Sequence, residues 1–184
     1  MNADGHETSQ VKSLTTRRTS LNQCIFSPDR AYRYVLRHRC ADMTCEIGKR
    51  IAWIALNPST ADEVTLDQTL ASVCRYSRRW GFSEVVMLNL FAFRATDPRD
   101  LKRANDPIGP DNNEHLLAEI GNVDRVIACW GEHGKFLGRD RQVADLLEVS
   151  FECLLRNKTG APHHPLYLKS KIRPKPFRLH QIRN

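Results

Sequence analysis

Four apolar runs alternate along this chain with segments of helical spacing. The runs cover residues 51–56, 85–90, 125–130 and 151–155, and they are short and nearly continuous, as buried strands are. Between them, apolar residues return every three or four positions, which is typical of helices that pack on a sheet. Buried strands that alternate with helices are typical of parallel sheets covered on both faces. The pattern therefore predicts a three-layer α/β/α domain around a central, mainly parallel four-stranded sheet.

Capping signals mark where the predicted helices begin. Thr65-x-x-Gln68 resembles a capping box, which would place Asp67 in the first helical turn. Asp97-Pro98 fits an N-cap residue followed by a proline at the first helical position, so a short helix should follow. Two more helices are expected, one from about Asn112 and one over roughly residues 139–148.

The chain ahead of the first buried run has a different pattern. Residues 1–20 are polar and lack periodicity, and we expect them to be disordered. Over residues 32–37 the alternation of side chains predicts an N-terminal edge strand or hairpin with one mostly polar, solvated face. Residues 21–168 would then form a single α/β domain, followed by a basic C-terminal tail over residues 169–184.

The composition limits the class of protein. The chain has 184 residues, enough for one domain, and contains no apolar run long enough to span a membrane. Its N-terminus lacks the apolar core of a secretion signal, and its six cysteines lack CxxC or Cys/His zinc spacing. We therefore expect reduced thiols, no bound metal and a cytoplasmic location. Dinucleotide-binding, P-loop, HExxH and nucleophile-elbow motifs are also missing, so we expect no cofactor.

The positive charge is concentrated at one end of the chain. The net charge is +7, and residues 157–184 contain seven basic residues and no acidic one, so this segment carries the whole excess. A basic patch of this kind is typical of contact with nucleic acid, whereas a solvated and partly disordered tail is the alternative. The basic residues are Lys158, Lys169, Lys171, Arg173, Lys175, Arg178 and Arg183.

Polar or turn residues follow three of the apolar runs. Asn57 comes after the first run, Asn89 lies at the end of the second, and Trp130-Gly131 closes the third. In an open α/β sheet the carboxyl ends of parallel strands form the ligand site. These residues should therefore meet at one edge of the sheet, and His163-His164 should arrive later on a loop flanked by prolines.

Each of these residues has a chemical and a structural interpretation. The Asn57 amide can hold a water molecule, or it can tie its own backbone in an Asn-Pro-Ser turn. The Asn89 amide matches the edge of a nucleobase, or it can bond to neighbouring loop backbone. His163 and His164 can donate to a developing anion, although most loop histidines are inert.

Two aromatic residues and an arginine after Asn89 are further candidates. Phe91 and Phe93 could stack on a base, although aromatic residues in such positions usually belong to the core. Arg94 could bind a phosphate, or it could simply face water.

The ordered set of motifs resembles the uracil-DNA glycosylase superfamily. In that superfamily's mismatch-specific branch an Asn-Pro follows the first core strand, as in Leu56-Asn57-Pro58. A Leu-Asn ends the second strand, as in Leu88-Asn89, and a further apolar strand closes in Trp-Gly, as in 126–131. A His-Pro opens the last motif, as in His164-Pro165. The resemblance covers residues 51–168 and implies a uracil-DNA glycosylase-like fold.

Longer segments resemble a second family more closely. Residues 57–62, 89–96, 106–110 and 164–168 are similar to the family filed as domain of unknown function 1643. This pattern spans nearly the whole chain after residue 30. Kinship between that family and the glycosylases is inferred from the order of their motifs.

The glycosylase resemblance implies a role for each residue. Asn57 would position the attacking water, Asn89 would read the target base, and His164 would stabilise negative charge on the departing base. Leu166, the leucine after His-Pro, would enter the DNA stack. The remaining base-binding candidates are Phe91, Phe93 and His163, and the remaining DNA-binding candidates are Arg94, Lys158, Lys169, Lys171, Arg173 and Lys175.

We therefore expect a monomeric, monofunctional DNA glycosylase acting on a modified or damaged base flipped out of DNA, in repair or in defence against modified foreign DNA. The first motif lacks the Asp that would activate water strongly, which favours the alternative, a weakly catalytic or non-catalytic module that binds modified nucleic acid or nucleotides. Residues 166–168 replace the Ser-Pro-Leu-Ser that usually follows His-Pro, and either His163 or His164 could be the active histidine. The basic tail disfavours a third candidate, hydrolysis of free nucleosides or nucleotides.

Overall fold

The computed structural model of the chain describes residues 23–43, 45–59, 67–169 and 171–179. Segment 1–20, expected to be disordered, lies outside these residues, as do Thr65 of the expected capping box and Arg183 of the basic segment. The strands are β1 (Gln23–Phe26), β2 (Arg33–Arg39), β3 (Glu46–Ala55), β4 (Phe82–Asn89), β5 (Arg125–Ala128), β6 (Phe151–Cys153) and β7 (Lys175–Phe177). The helices are α1 (Gln68–Arg79), α2 (Pro98–Arg103), α3 (Asn112–Ile120) and α4 (Arg139–Leu147), with a 3-10 segment over Glu132–Gly138.

The strands of the described chain form one seven-stranded mixed sheet in the order β1-β2-β4-β3-β5-β6-β7. The four central strands β4, β3, β5 and β6 run parallel, and they are the four apolar runs of the sequence. β1 and β2 pair antiparallel on one side of these strands, where an N-terminal edge strand or hairpin was expected, and β7, which was not expected, adds an antiparallel strand on the other side. The fold is mixed α/β.

Both faces of the central strands are covered by apolar side chains. Ala52 and Ile54 of β3 pack into a cluster with α2, α3 and α4. Their neighbours Ile51 and Trp53 point to the other face and pack with α1. Successive strand residues alternate between faces, so a strand buried on both sides must be apolar throughout. This burial explains the near-continuous apolar runs and fixes where each strand ends.

Strand β2 differs from its prediction. It lies inside the sheet between β1 and β4, and the edge position belongs to β1. Tyr34, Val35 and Leu36 are all buried. Arg37, expected on a solvated face, pairs with the buried carboxylate of Glu119 on α3. The Arg37 side chain keeps partial contact with solvent while Glu119 neutralises its charge, so a charged position in the alternating pattern did not mark an exposed face.

The C-terminal segment is part of the sheet. Lys175–Phe177 forms β7 against β6, and Phe177 is buried within the main apolar cluster. The Arg156 guanidinium lies 5.1 Å from the centre of the Phe177 ring. The segment after residue 168, expected to be a basic tail, therefore includes a strand of the sheet, and Phe177, Ile172 and Leu179 pack it against the core.

Helix boundaries agree closely with their sequence signals. Asp97 caps α2 through a bond from the Arg99 backbone N–H, and Pro98 occupies the first turn. Asp67, expected in the first turn of α1, is its N-cap instead, because Oδ1 accepts from the Leu70 N–H at 2.7 Å. This cap holds the Asp67 carboxylate at the N-terminal end of α1.

Candidate functional site

A cleft of about 370 Å³ opens beside the carboxyl ends of β3, β4 and β5. Asn57, Asn89, Trp130-Gly131 and His164 all line it. These residues were expected to converge because parallel strands end at a common edge. The structure confirms that placement, although it does not test their chemical roles.

Asn57 combines its two interpretations. Its Nδ2 donates to the Ala95 carbonyl at 2.7 Å and to the Pro58 carbonyl at 3.1 Å, and the Ala95 N–H bonds back to Pro58 at 3.1 Å. The side chain therefore holds two loops together. Within the described chain both bonds use Nδ2, and Asn57 lines the cleft, so Oδ1 stays available as an acceptor.

Asn89 is the most unusual group in the cleft. It ends β4 and is 1% exposed, and its Nδ2 has no hydrogen-bond partner within the described chain. Buried polar groups are almost always paired, and an orphan amide costs roughly 1–3 kcal/mol. A buried donor without a protein partner, on a residue that lines a cleft, is typical of a position where a ligand or a bound water supplies the acceptor.

A polar brace holds the end of β4 from behind the cleft. The buried Asn112 side chain donates to the carbonyls of Asn89 and Leu90 at 3.2 and 3.0 Å. The Arg139 Nε donates to the same Leu90 carbonyl at 2.8 Å, and its Nη2 donates to Asn113 at 2.6 Å. Burial lowers the pKa of Arg139, which is 2% exposed. Sequence reasoning missed this brace, because surface helices usually expose arginine.

The His164 ring has a defined donor side. The Leu166 backbone N–H points at Nδ1 across 3.4 Å, which makes Nδ1 an acceptor and leaves the proton of the neutral ring on Nε2. Burial first, and the nearby His163 second, lower the pKa of His164, while Asp67 opposes them. The neutral ring with a donating Nε2–H is therefore the favoured form near neutral pH.

The structure separates the two adjacent histidines. The His163 Nδ1 donates to the His164 carbonyl at 2.7 Å, and the His163 backbone N–H donates to the Leu155 carbonyl at 2.7 Å. Among the described residues that line the cleft, only His164 of this pair is present. The geometry thus favours His164 as the chemical residue and gives His163 a structural role.

Several further cleft residues had little or no signal in the sequence. Arg33 of β2, which is buried, lines the cleft together with Glu132 and His133 of the 3-10 segment. Asp67 joins them from the start of α1, where the helix dipole favours a carboxylate. The pairing of β2 with β4 brings Arg33 to the same cleft as Asn89, and no local pattern records that pairing.

Both phenylalanines named as base-stacking candidates lie away from the cleft. Phe91 is fully buried in the main cluster, with its ring centre 5.6 Å from that of Phe136. Phe93 packs edge-on against Tyr32 at 5.9 Å. Neither ring lines this cleft, because the chain after β4 turns back into the core.

The DNA-binding candidates occupy several environments. Arg94 donates to the Arg30 carbonyl at 3.3 Å and stacks over Phe26, so it anchors a loop outside the cleft. Leu166, the residue expected to enter the DNA stack, is half-buried near His164. The adjacent Tyr167 is 94% exposed. The remaining candidates are exposed: Lys158, Lys169, Lys171, Arg173 and Lys175.

The described residues contain neither a cluster of metal ligands nor a membrane-spanning helix. No three His, Cys, Asp or Glu side chains there gather in a group that could hold a metal ion. In the same residues, no helix is both long and apolar enough to cross a membrane.

Comparison with known proteins identifies the family. The family model described as "Protein of unknown function (DUF1643)" matches residues 33–166, more than half of the chain, and the chain belongs to this family. Membership expected from the motifs is thereby confirmed. No curated protein and no solved structure matches the chain. The resemblance to uracil-DNA glycosylases stays a prediction.

Proposed function

We propose that this protein is a DNA glycosylase that hydrolyses the N-glycosidic bond of a modified or damaged base. The orphan Asn89 amide carries the proposal, because it is buried and lines a cleft shared with Asn57 and His164. A nucleobase edge offers the acceptor that this amide lacks. Enzymes that act on a base in DNA take it out of the stack into such a pocket.

The proposed chemistry assigns one task to each residue. The bond from sugar C1′ to the base nitrogen breaks, and its electron pair leaves with the base. The Nε2–H of His164 donates to the base as negative charge grows there. Water held by the Asn57 Oδ1 adds to C1′ and loses its proton to solvent. The water needs to be positioned but not deprotonated by the protein, because early cleavage of the glycosidic bond leaves a strongly electrophilic sugar.

The donor pattern favours one kind of base edge. Asn89 and His164 both line the cleft, and each offers a donor, the Asn89 Nδ2 and the His164 Nε2–H. A base that presents carbonyl oxygens matches these donors better than one that presents amino groups. We therefore expect keto-rich bases among the substrates.

A finer fold assignment is part of the proposal. The arrangement would be the three-layer α/β/α fold of the uracil-DNA glycosylase superfamily, with DNA as partner and a cytoplasmic role in repair or in defence against modified foreign DNA. Apolar clusters on both faces of the parallel strands support the layering. The protein would act as a monomer.

One observation favours a module that binds modified nucleic acid without strong catalysis. Two carboxylates line the cleft, Asp67 and Glu132, and neither follows Asn57 directly in the chain. Oδ1 of Asp67 is already committed to the cap of α1. Such a module would retain base binding through Asn89 and would release no base.

A panel of oligonucleotides, each with one modified base, distinguishes the two functions. The protein is incubated with each duplex and each single strand, and abasic sites are detected by alkaline cleavage. Release of at least one keto-rich base, slowed on the order of 10²–10³-fold in His164→Ala, supports the glycosylase. Binding of such oligonucleotides without any abasic site, at enzyme excess, supports the module.

A further inference from the structure

A second cleft, of about 470 Å³, lies beyond the first one and is lined by cations. Lys135, Arg141 and Arg178 border it, and none of the three forms an ion pair within the described chain. The carboxylate that faces them, Asp140, is buried and accepts from the Arg141 backbone N–H at 2.9 Å. Three cations against one carboxylate leave an excess of positive charge in one concave site.

An excess of like charge around a cleft has an electrostatic cost. Lys135, Arg141 and Arg178 are exposed, so water and salt screen part of their mutual repulsion, but their combined field still concentrates anions in the cleft. The floor contains Phe177 and Ala161, which offer no charge to balance the rim. A bound anion would relieve this repulsion.

The two clefts share their walls. In the 3-10 segment, His133 lines the first cleft and Lys135 the second. In the following loop, Ala161 lines the second cleft and His164 the first. The Thr159 hydroxyl donates to Asn157 Oδ1 at 2.8 Å and lies 3.3 Å from a Glu132 carboxylate oxygen, so the rims of the two clefts are in contact. One extended ligand could therefore occupy both clefts.

We propose that the second cleft binds a phosphodiester of the strand whose base enters the first cleft. Arginine and lysine are the side chains that bind phosphate oxygens, Arg by paired donors and Lys as a point charge. The link between the two clefts rests on the proposed function, whereas the anion chemistry of the second cleft does not. Two sources share this chemistry, a nucleic-acid backbone and the phosphate of a free nucleotide.

Charge reversal tests the site. Lys135→Glu combined with Arg178→Glu changes the cleft, and Lys102→Glu combined with Arg103→Glu changes the charge equally on the exposed end of α2. Binding of a fluorescent unmodified oligonucleotide is measured by anisotropy over a range of salt concentrations. The cleft variant should bind on the order of tenfold more weakly at low salt, and its log–log salt slope should fall by about 0.9 for each phosphate that it no longer binds. The α2 variant should change much less.

The remaining arms separate the possible outcomes. Equal losses of affinity in both variants, with folding intact by circular dichroism, would overturn the site. Competition by a nucleoside monophosphate as strong as that by an equal phosphate concentration of oligonucleotide would indicate a free-nucleotide site and overturn the strand proposal. A reduced salt slope in the cleft variant of a protein that releases no base would contradict the glycosylase and leave this inference standing.

Discussion

The backbone N–H of Leu166 donates to Nδ1 of His164 across 3.4 Å. This bond needs a lone pair on Nδ1, so the neutral ring carries its proton on Nε2, which leaves a donor on a residue that lines the cleft. The Pro-flanked loop thus sets a tautomer through its own backbone. Nitrogen-15 NMR of the ring should show a protonated Nε2 and a bare Nδ1 at neutral pH; the opposite tautomer would remove the proposed donor.

Acid should weaken the fold partly through His164. Burial and His163 lower the pKa of His164 below its ordinary value, and burial and Arg78 lower that of His38. The unfolded chain then binds more protons below about pH 6.5, so the free energy of unfolding should decrease as pH falls from there to the folded pKa values. Denaturant titrations at several pH values should show a flatter profile for His164→Gln. His133→Gln is the control variant. If His164→Gln shows the same dependence of unfolding free energy on pH as the unsubstituted protein, the lowered pKa of His164 is contradicted.

The two buried asparagines at the end of β4 should respond differently to truncation. Asn112→Ala removes both side-chain hydrogen bonds to the carbonyls of Asn89 and Leu90, which should cost about 1–3 kcal/mol of unfolding free energy. Asn89→Ala removes an amide whose Nδ2 has no partner within the described chain, so the cost should be smaller. Urea unfolding measures both. Equal costs would mean that the Asn89 amide is structural.

The position of the Trp130 indole depends on the absence of a side chain at Gly134. A Cβ added at Gly134 would lie 2.7 Å from Nε1 of the Trp130 indole, which lines the cleft. Gly134→Ala should displace the ring, cost about 1–3 kcal/mol of unfolding free energy and shift the tryptophan emission. Gly121→Ala is the matched control, because its Cβ would lie 3.8 Å from the nearest atom, the Leu117 carbonyl oxygen. Similar effects from both variants would show that the indole does not depend on the missing side chain at residue 134.

The central strands and the convergence of the cleft residues were predictable from sequence because their signals are local. A strand buried on both faces has to be apolar, and Asn57 and Asn89 follow such runs directly. The signals that start α2 after Asp97 and α3 at Asn112 are equally local. Parallel strands then bring the residues that follow them to one edge without further information.

The residues that escaped prediction depend on contacts between distant segments. Arg33 faces the cleft because β2 pairs with β4, about fifty residues further along the chain. β7 is three residues long and held by Phe177, which is too little for a periodic signal. Phe91 lies close to Asn89 in sequence, yet the chain turns there and buries the ring. Local pattern cannot report these long-range pairings.

The central claim is that Asn57 and His164 act in breaking a glycosidic bond, and single-turnover base release at enzyme excess tests it most directly. Losing one preorganised donor typically costs on the order of 10²–10³ in rate. Asn57→Ala and His164→Ala should each slow base release on that scale while oligonucleotide affinity changes little, and His163→Ala should slow it less. If Asn57→Ala and His164→Ala both release base at the full single-turnover rate, the central claim is contradicted.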